Sequence, residues 1–328
     1  MRLLTCLTAF GLVGLVMAAS SPNDEADKKV ATGGYYPEEL VKYKATNHDI
    51  VKLVVPLNAL NLEEVFDSSL GSNKLIMNNG ILLFFVEADV LPDSSRVDQG
   101  LYVLKEGKTT KILDYGRDAA ASRDNSTKAF FGAKDGIYVY NPETNSADKY
   151  GTITDSIIAI DMDRFGTVIY ILTEDRDVYK VTDNGEKKEK LDDIVKPKQM
   201  VLDYQNNLYF FSVDKVPYVR TADGVKRIEG LPEATGTVTL FKPPRILENA
   251  APVIINNKVH IMYPNGTSRA TIFEFNPKAL PTALAPEALQ VQYYAYDKKI
   301  YEYNQLVIFI MYNSLMKGLD SYLENKSS

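Results

Sequence analysis

The 328-residue chain has no tryptophan, one cysteine and two histidines, and each shortage removes a kind of chemistry. The single cysteine, Cys6, lies in the first apolar stretch, so the rest of the chain has no thiol for a disulfide, a zinc cluster or a thiolate nucleophile. Disulfide frameworks mainly support small secreted domains with little core; a chain this long, 45% hydrophobic, does not need one. Zinc, copper and haem sites lean on imidazole and thiolate, and His48 and His260 are a thin supply. A serine triad needs a histidine beside its nucleophile. His48 precedes the repeats described below, and His260 sits inside "NKVHIMY", where strand alternation reads it as a half-buried packing residue. GxSxG, a P-loop, GxGxxG after a strand and HExxH are all missing.

Long runs of basic residues are missing too. The densest, "EKKEK" (186–190), alternates sign and reads as a solvated turn. There are 37 basic against 43 acidic side chains, a net charge of −6. That balance argues against nucleic acid, whose binding depends on cationic neutralisation of phosphate, and against adsorption to anionic membranes. After residue 16 no apolar run is long enough to span a bilayer; "LVIFIMY" (306–312) is strand-sized.

The first residues read as a secretory signal. Arg2 is followed by an apolar run from Leu3 to Val16 and then by Ala18, Ala19 and Ser20, which places cleavage near residue 19. Cleavage would remove Cys6 and Arg2, leaving 36 basic against 43 acidic groups, a charge of −7. Residues 20–34 ("SSPNDEADKKVATGG") are small and polar and read as a disordered leader before a single domain over 35–328. The expected location is extracellular and the expected state monomeric. Three sequons, at Asn125, Asn265 and Asn325, suit a glycoprotein.

What the chain does have is a unit that returns about every 40 residues. A short apolar stretch ends in Asp, an aromatic strand follows a turn, and a Tyr-centred strand comes next. The clearest copies are "IIAID", "TVIYILT", "DVYKV" and "QMVLD", "NLYFFSV", "PYVR". Tyr102, Tyr138, Tyr179 and Tyr218 centre the later strands at spacings of 36, 41 and 39. Several strands per unit at this period read as an all-β, six-bladed β-propeller, with five or seven blades as alternatives. The units fall near 62–113, 119–150, 155–191, 197–230, 236–278 and 288–312, with a short terminal helix over 313–324. "HDIVKLVVPL" (48–57) is expected to close the ring as a strand lent to the last blade. Asn, Asp, Gly and Pro in "KEGKT", "YNPETNS", "VTDNGEK" and "TADGVK" supply the hairpin turns.

The recurring Asp124, Asp161, Asp203 and Asp297 are read as turn acceptors that end the innermost strand. The other signal is 21 Tyr and 13 Phe. "FF" at 84–85, 130–131 and 210–211 mostly reads as core. As ligand-facing candidates the pattern offers Tyr294, Tyr296, Phe131 and Tyr209. The first two lie in "VQYYAYD", read as an innermost strand whose alternate side chains face the axis. A tyrosine ring with its hydroxyl suits a planar, polar aromatic molecule.

At "FFGAKDGIYVYNPETNSADKYG" (130–151) and "NNLYFF" (206–211), and in its leader, the chain resembles the insect ommochrome-binding proteins of moth haemolymph. The likeness covers the middle repeats, about half the chain. It implies a secreted, non-enzymatic carrier of an ommochrome, a tryptophan-derived phenoxazinone pigment, with no cofactor. Two other readings stay open. Calcium-dependent propeller hydrolases and lactonases hold the ion at the pore with Asp, Glu and Asn; Glu87, Asp155 and Asn256 are candidate oxygens here. An extracellular protein-binding platform is the third.

Overall fold

The computed structural model describes residues 29–56, 81–91, 95–124, 126–244, 247–287 and 291–304. The expected signal sequence, the strand at 306–312, the terminal helix and the sequons at Asn125 and Asn325 lie outside them; Asn265 sits on an exposed turn. The described chain is almost entirely β and forms a six-bladed propeller.

Five blades carry four antiparallel strands laid down in chain order from the axis outwards or, in the fifth, four strands plus an added one. Blade 1 comprises Asp49–Val54, Leu82–Val90, Arg96–Lys105 and Lys108–Leu113. Blade 2 comprises Gly116–Ala121, Ala129–Ala133, Gly136–Asn141 and Ser146–Lys149. Blade 3 runs through Ile157–Met162, Ile169–Thr173, Val178–Thr182 and Lys187–Lys190. Blade 4 runs through Gln199–Leu202, Leu208–Phe211, Pro217–Thr221 and Gly224–Arg227. Blade 5 has Val238–Leu240, Ala251–Ile255, Lys258–Met262 and Ser268–Phe275. Blade 6 has Ala283–Pro286, Val291–Tyr296 and Lys299–Asn304, and takes its outer strand, Val41–Lys44, from near the start of the chain.

The hairpins follow from turn chemistry. Asn256–Asn257 and Asp297–Lys298 each place two successive residues at positive φ, the left-handed pair that a two-residue hairpin requires. Gly136 has φ +131, and a Cβ there would run into the Ile153 carbonyl, so this turn requires glycine.

Second strands are buried on both faces because blades pack face to face. Phe84, Phe85, Phe130, Phe131 and Tyr209 are fully buried, as is most of the apolar content of these strands. The core is therefore a series of inter-blade clusters. One joins blades 1 and 2 through Phe84, Phe131 and Tyr140; another joins blades 4 and 5 through Tyr209, Val219 and Val253.

The ring closes differently from the sequence expectation. Asp49–Val54 is the innermost strand of blade 1, and closure falls to the segment just before it. Lys29–Ala31, within the stretch expected to be disordered, pairs in parallel with Ser268–Phe275 as a fifth strand on blade 5. Val41–Lys44 then pairs antiparallel with Lys299–Asn304. Between the two, Tyr35 and Tyr36 insert into the junction of blades 5 and 6. The Tyr35 ring stacks on Tyr303 at 4.7 Å and Tyr36 stacks on Tyr296 at 4.2 Å. The Tyr36 hydroxyl donates to the Ala279 carbonyl at 3.0 Å. One segment thus clasps two blades.

His260 is buried on the third strand of blade 5, and neither ring nitrogen has a hydrogen-bond partner among the described residues. Burial pushes its pKa down from 6.5 to about 4, with Lys258 adding to the shift. The folded state therefore binds this proton less readily than the unfolded chain. The stability contribution of the neutral ring is present above pH 6.5 and is lost as pH falls from 6.5 towards 4. His260→Leu should flatten this acid limb in urea-denaturation midpoints measured across that window. An unchanged limb would exclude His260 as its source.

Candidate functional site at the propeller axis

An innermost strand has a neighbour on one side only, so its axial edge carries peptide groups with no sheet partner. This chain satisfies several of them with polar side chains handed from one blade to the next. Asp118 of blade 2 accepts the Ile160 N–H of blade 3 at 3.0 Å. Asp161 of blade 3 accepts the Leu202 N–H of blade 4 at 2.8 Å. Gln199 of blade 4 accepts the Leu240 N–H of blade 5 at 2.9 Å. The Thr282 hydroxyl, just before the inner strand of blade 6, donates to the Ile50 carbonyl of blade 1 at 2.6 Å.

Cations complete the axis. Lys242, just after the inner strand of blade 5, reaches across it: its Nζ donates to Ala119 O at 2.8 Å and Ile160 O at 3.2 Å and lies 3.4 Å from Asp161 Oδ1. Lys52 Nζ of blade 1 lies 3.6 Å from Asp118 Oδ1. Arg123, at the end of the inner strand of blade 2, donates to the carbonyls of Leu202, at 2.7 Å, and Asp203, and sits 3.7 Å from Asp161 Oδ2. Its guanidinium carbon lies 4.5 Å from the centre of the half-buried Tyr204 ring.

Two adjoining cavities remain, each about 50 Å³. They share Leu53, Val54 and Lys242. One opens where the inner strands end, among Arg123, Tyr204, Pro243, Pro286 and Glu287. The other lies toward the beginning of the inner strands, beside Lys52, Asp118, Gln199 and Thr282. This is room for a few waters, far below the ~300 Å³ or more of a pocket that engulfs a multi-ring ligand.

None of the four tyrosine and phenylalanine candidates lines either cavity. Phe131 is sealed between blades 1 and 2, 5.1 Å from Phe84. Tyr209 is buried between blades 4 and 5, its hydroxyl on Asp203 Oδ2 at 3.2 Å. Burial, seconded by the charge of Asp203, raises the pKa of Tyr209. Tyr294 and Tyr296 are brought together on one face, as alternation implies, but their strand is the second of blade 6, not the innermost. That face meets Tyr35 and Tyr36. Tyr294 is fully buried; Tyr296 is half-buried and donates to Lys278 O at 2.7 Å.

The candidate calcium oxygens are scattered and committed elsewhere. Glu87 accepts the Tyr43 hydroxyl at 2.8 Å, Asp155 pairs with Lys188 at 2.7 Å, and Asn256 caps Thr235 and Gly236 at 3.0 Å. Of the recurring aspartates, Asp124 and Asp203 do accept amides of the following turn, from Ser126 and from Gln205 and Asn207. In blade 3 that duty belongs to Asp163, which accepts Thr167 N at 2.7 Å, and Asp161 is freed for the axis. Asp297 lies in a hairpin between the second and third strands of blade 6.

No family model matches the chain, and no curated protein is similar to it in sequence. Among solved structures it is similar to a candidate gluconolactonase from a structural-genomics consortium, with a TM-score of 0.50 and 10% identity, covering 82% of this chain and 93% of that one. At this identity the likeness reports the propeller architecture alone; 1079 solved chains match this one in all.

Proposed function

We propose that this propeller is an exported, non-catalytic binding protein for a small planar aromatic molecule of the ommochrome kind, held over the axial mouth. One observation carries the reading. The buried Arg123 guanidinium lies under the half-buried Tyr204 ring and is locked by two carbonyls, which holds that ring as a flat, pre-organised platform with a cation behind it at the end of the axis. A fused-ring ligand bearing carboxylates matches it by stacking and by charge. The small axial cavities favour the mouth over the channel as the seat of such a ligand. Xanthommatin added to purified protein should shift its absorbance band and raise Tm, by roughly 2.7 kcal/mol of stability at one hundred times Kd. Tyr204→Ala should weaken binding about tenfold, the loss of one stacking contact. A colourless protein with unchanged Tm and spectrum on titration sinks this reading.

The named likeness to a gluconolactonase supports a second reading, a calcium-dependent hydrolase. Calcium takes six to eight oxygens. The axial oxygens of this chain are already engaged by Lys242, Lys52 and backbone amides, so the donor set does not fit the ion. Lactone hydrolysis that appears on adding calcium and disappears on chelation would decide for the hydrolase.

A further inference from the structure

Close to the axis of the six blades this chain places an amine. Lys242 comes from blade 5, yet its ammonium is held by Ala119 O of blade 2 and by Ile160 O and Asp161 of blade 3. The two carbonyls accept hydrogen bonds from the ammonium, and the Asp161 carboxylate pairs with its charge at 3.4 Å. Asp161 is itself almost wholly buried. It also accepts Leu202 N at 2.8 Å, so it is oriented before the ammonium arrives. Arg123, 3.7 Å from its other oxygen, makes a second monovalent partner. The three blades are thereby cross-linked through one side chain.

We propose that the axis is a primary-ammonium site, filled from within by Lys242, and that this tethered cation takes the place of a divalent ion. The site is selective for ammonium over calcium for two reasons. It offers three acceptors where calcium needs six or more, and their geometry is served by N–H donors rather than by a point charge. Removing the lysine stem beyond Cβ should leave a slot that accepts a free alkylammonium. The proposal stands independently of which ligand the mouth carries.

The test is thermal unfolding of the full-length protein and its variants. Chelator, calcium chloride and ethylammonium chloride, at matched ionic strength, should leave the wild-type Tm unchanged. K242A should lose about 5 °C, because Asp161 and two carbonyls are left without their shared donor. Ethylammonium should recover part of that loss, while tetramethylammonium, which has no N–H, and calcium should not. K242M keeps the slot filled without a donor, so it should be destabilised and indifferent to ethylammonium. Should K242A fail to fold, its refolding yield with and without ethylammonium reads the same effect. A wild-type Tm that rises with calcium overturns the proposal. So does a K242A protein whose Tm or yield ignores ethylammonium, or a K242M protein that responds to it.

Discussion

Deleting residues 29–44 should abolish cooperative folding. The segment supplies the outer strand of blade 6, a fifth strand on blade 5, and two tyrosines buried in the junction between them. Burying two tyrosine side chains is worth roughly 2–3 kcal/mol each on an area basis. The Tyr36 hydroxyl bond to Ala279 and the stacked ring pairs come in addition. The total approaches the ~5–15 kcal/mol net stability of a whole domain. Loss of the segment also bares the edges of two sheets, a route to aggregation. The expected result is a deletion variant with no cooperative thermal transition in near-ultraviolet circular dichroism, rescued in part by a synthetic 29–44 peptide. A deletion variant that melts cooperatively within a few degrees of wild type would show that the clasp is dispensable.

The second large effect separates core from ligand surface at the tyrosines of blade 6. Tyr294→Ala should cost about 3–5 kcal/mol in urea unfolding, because its ring is fully buried and the cavity left behind cannot collapse between two rigid sheets. Tyr35 packs edge-on to it at 5.6 Å and Tyr303 at 5.3 Å. Tyr294→Phe should cost only about 1–2 kcal/mol, for the hydroxyl that donates to Gln292 Oε1 at 2.6 Å. Tyr296→Ala should fall near 1–2 kcal/mol, since that ring is half exposed. None of the three changes should alter xanthommatin affinity. Weakened affinity at unchanged stability would return this face to the ligand.

The contrast between these tyrosines and the axial lysine shows how far the sequence could be read. Blades 2 to 5 were legible because their turns are written in Asn, Asp and Gly, and because second strands packed on both faces must be apolar throughout. Blade 1 was obscured by the 27 residues between its first two strands, at 54 and 82, which make the inner strand look solitary. Blade 6 was misread because "VQYYAYD" ends in Asp as the true inner strands of blades 3 and 4 do. Its real inner strand, Ala283–Pro286, carries a proline, which a strand tolerates when its edge donates to no neighbour. The axial residues were missed for a related reason. Asp161 interrupts an apolar inner strand, and that interruption is a signal; Asp118 sits beside Arg117 and Gln199 opens its strand, so neither stands out. Lys242 carries none, since nothing in "LFKPPR" says that its side chain crosses to blades 2 and 3.

The clasp also sets a timetable for biogenesis. Val41 pairs with Tyr301, so the first-made portion of the barrel-like ring waits for almost the last. At ~5–20 residues per second of translation, that wait is on the order of tens of seconds. Throughout it the nascent polypeptide holds unfinished sheets whose final partner does not yet exist. The ring cannot close until Lys299–Asn304 has been made and can receive Val41–Lys44.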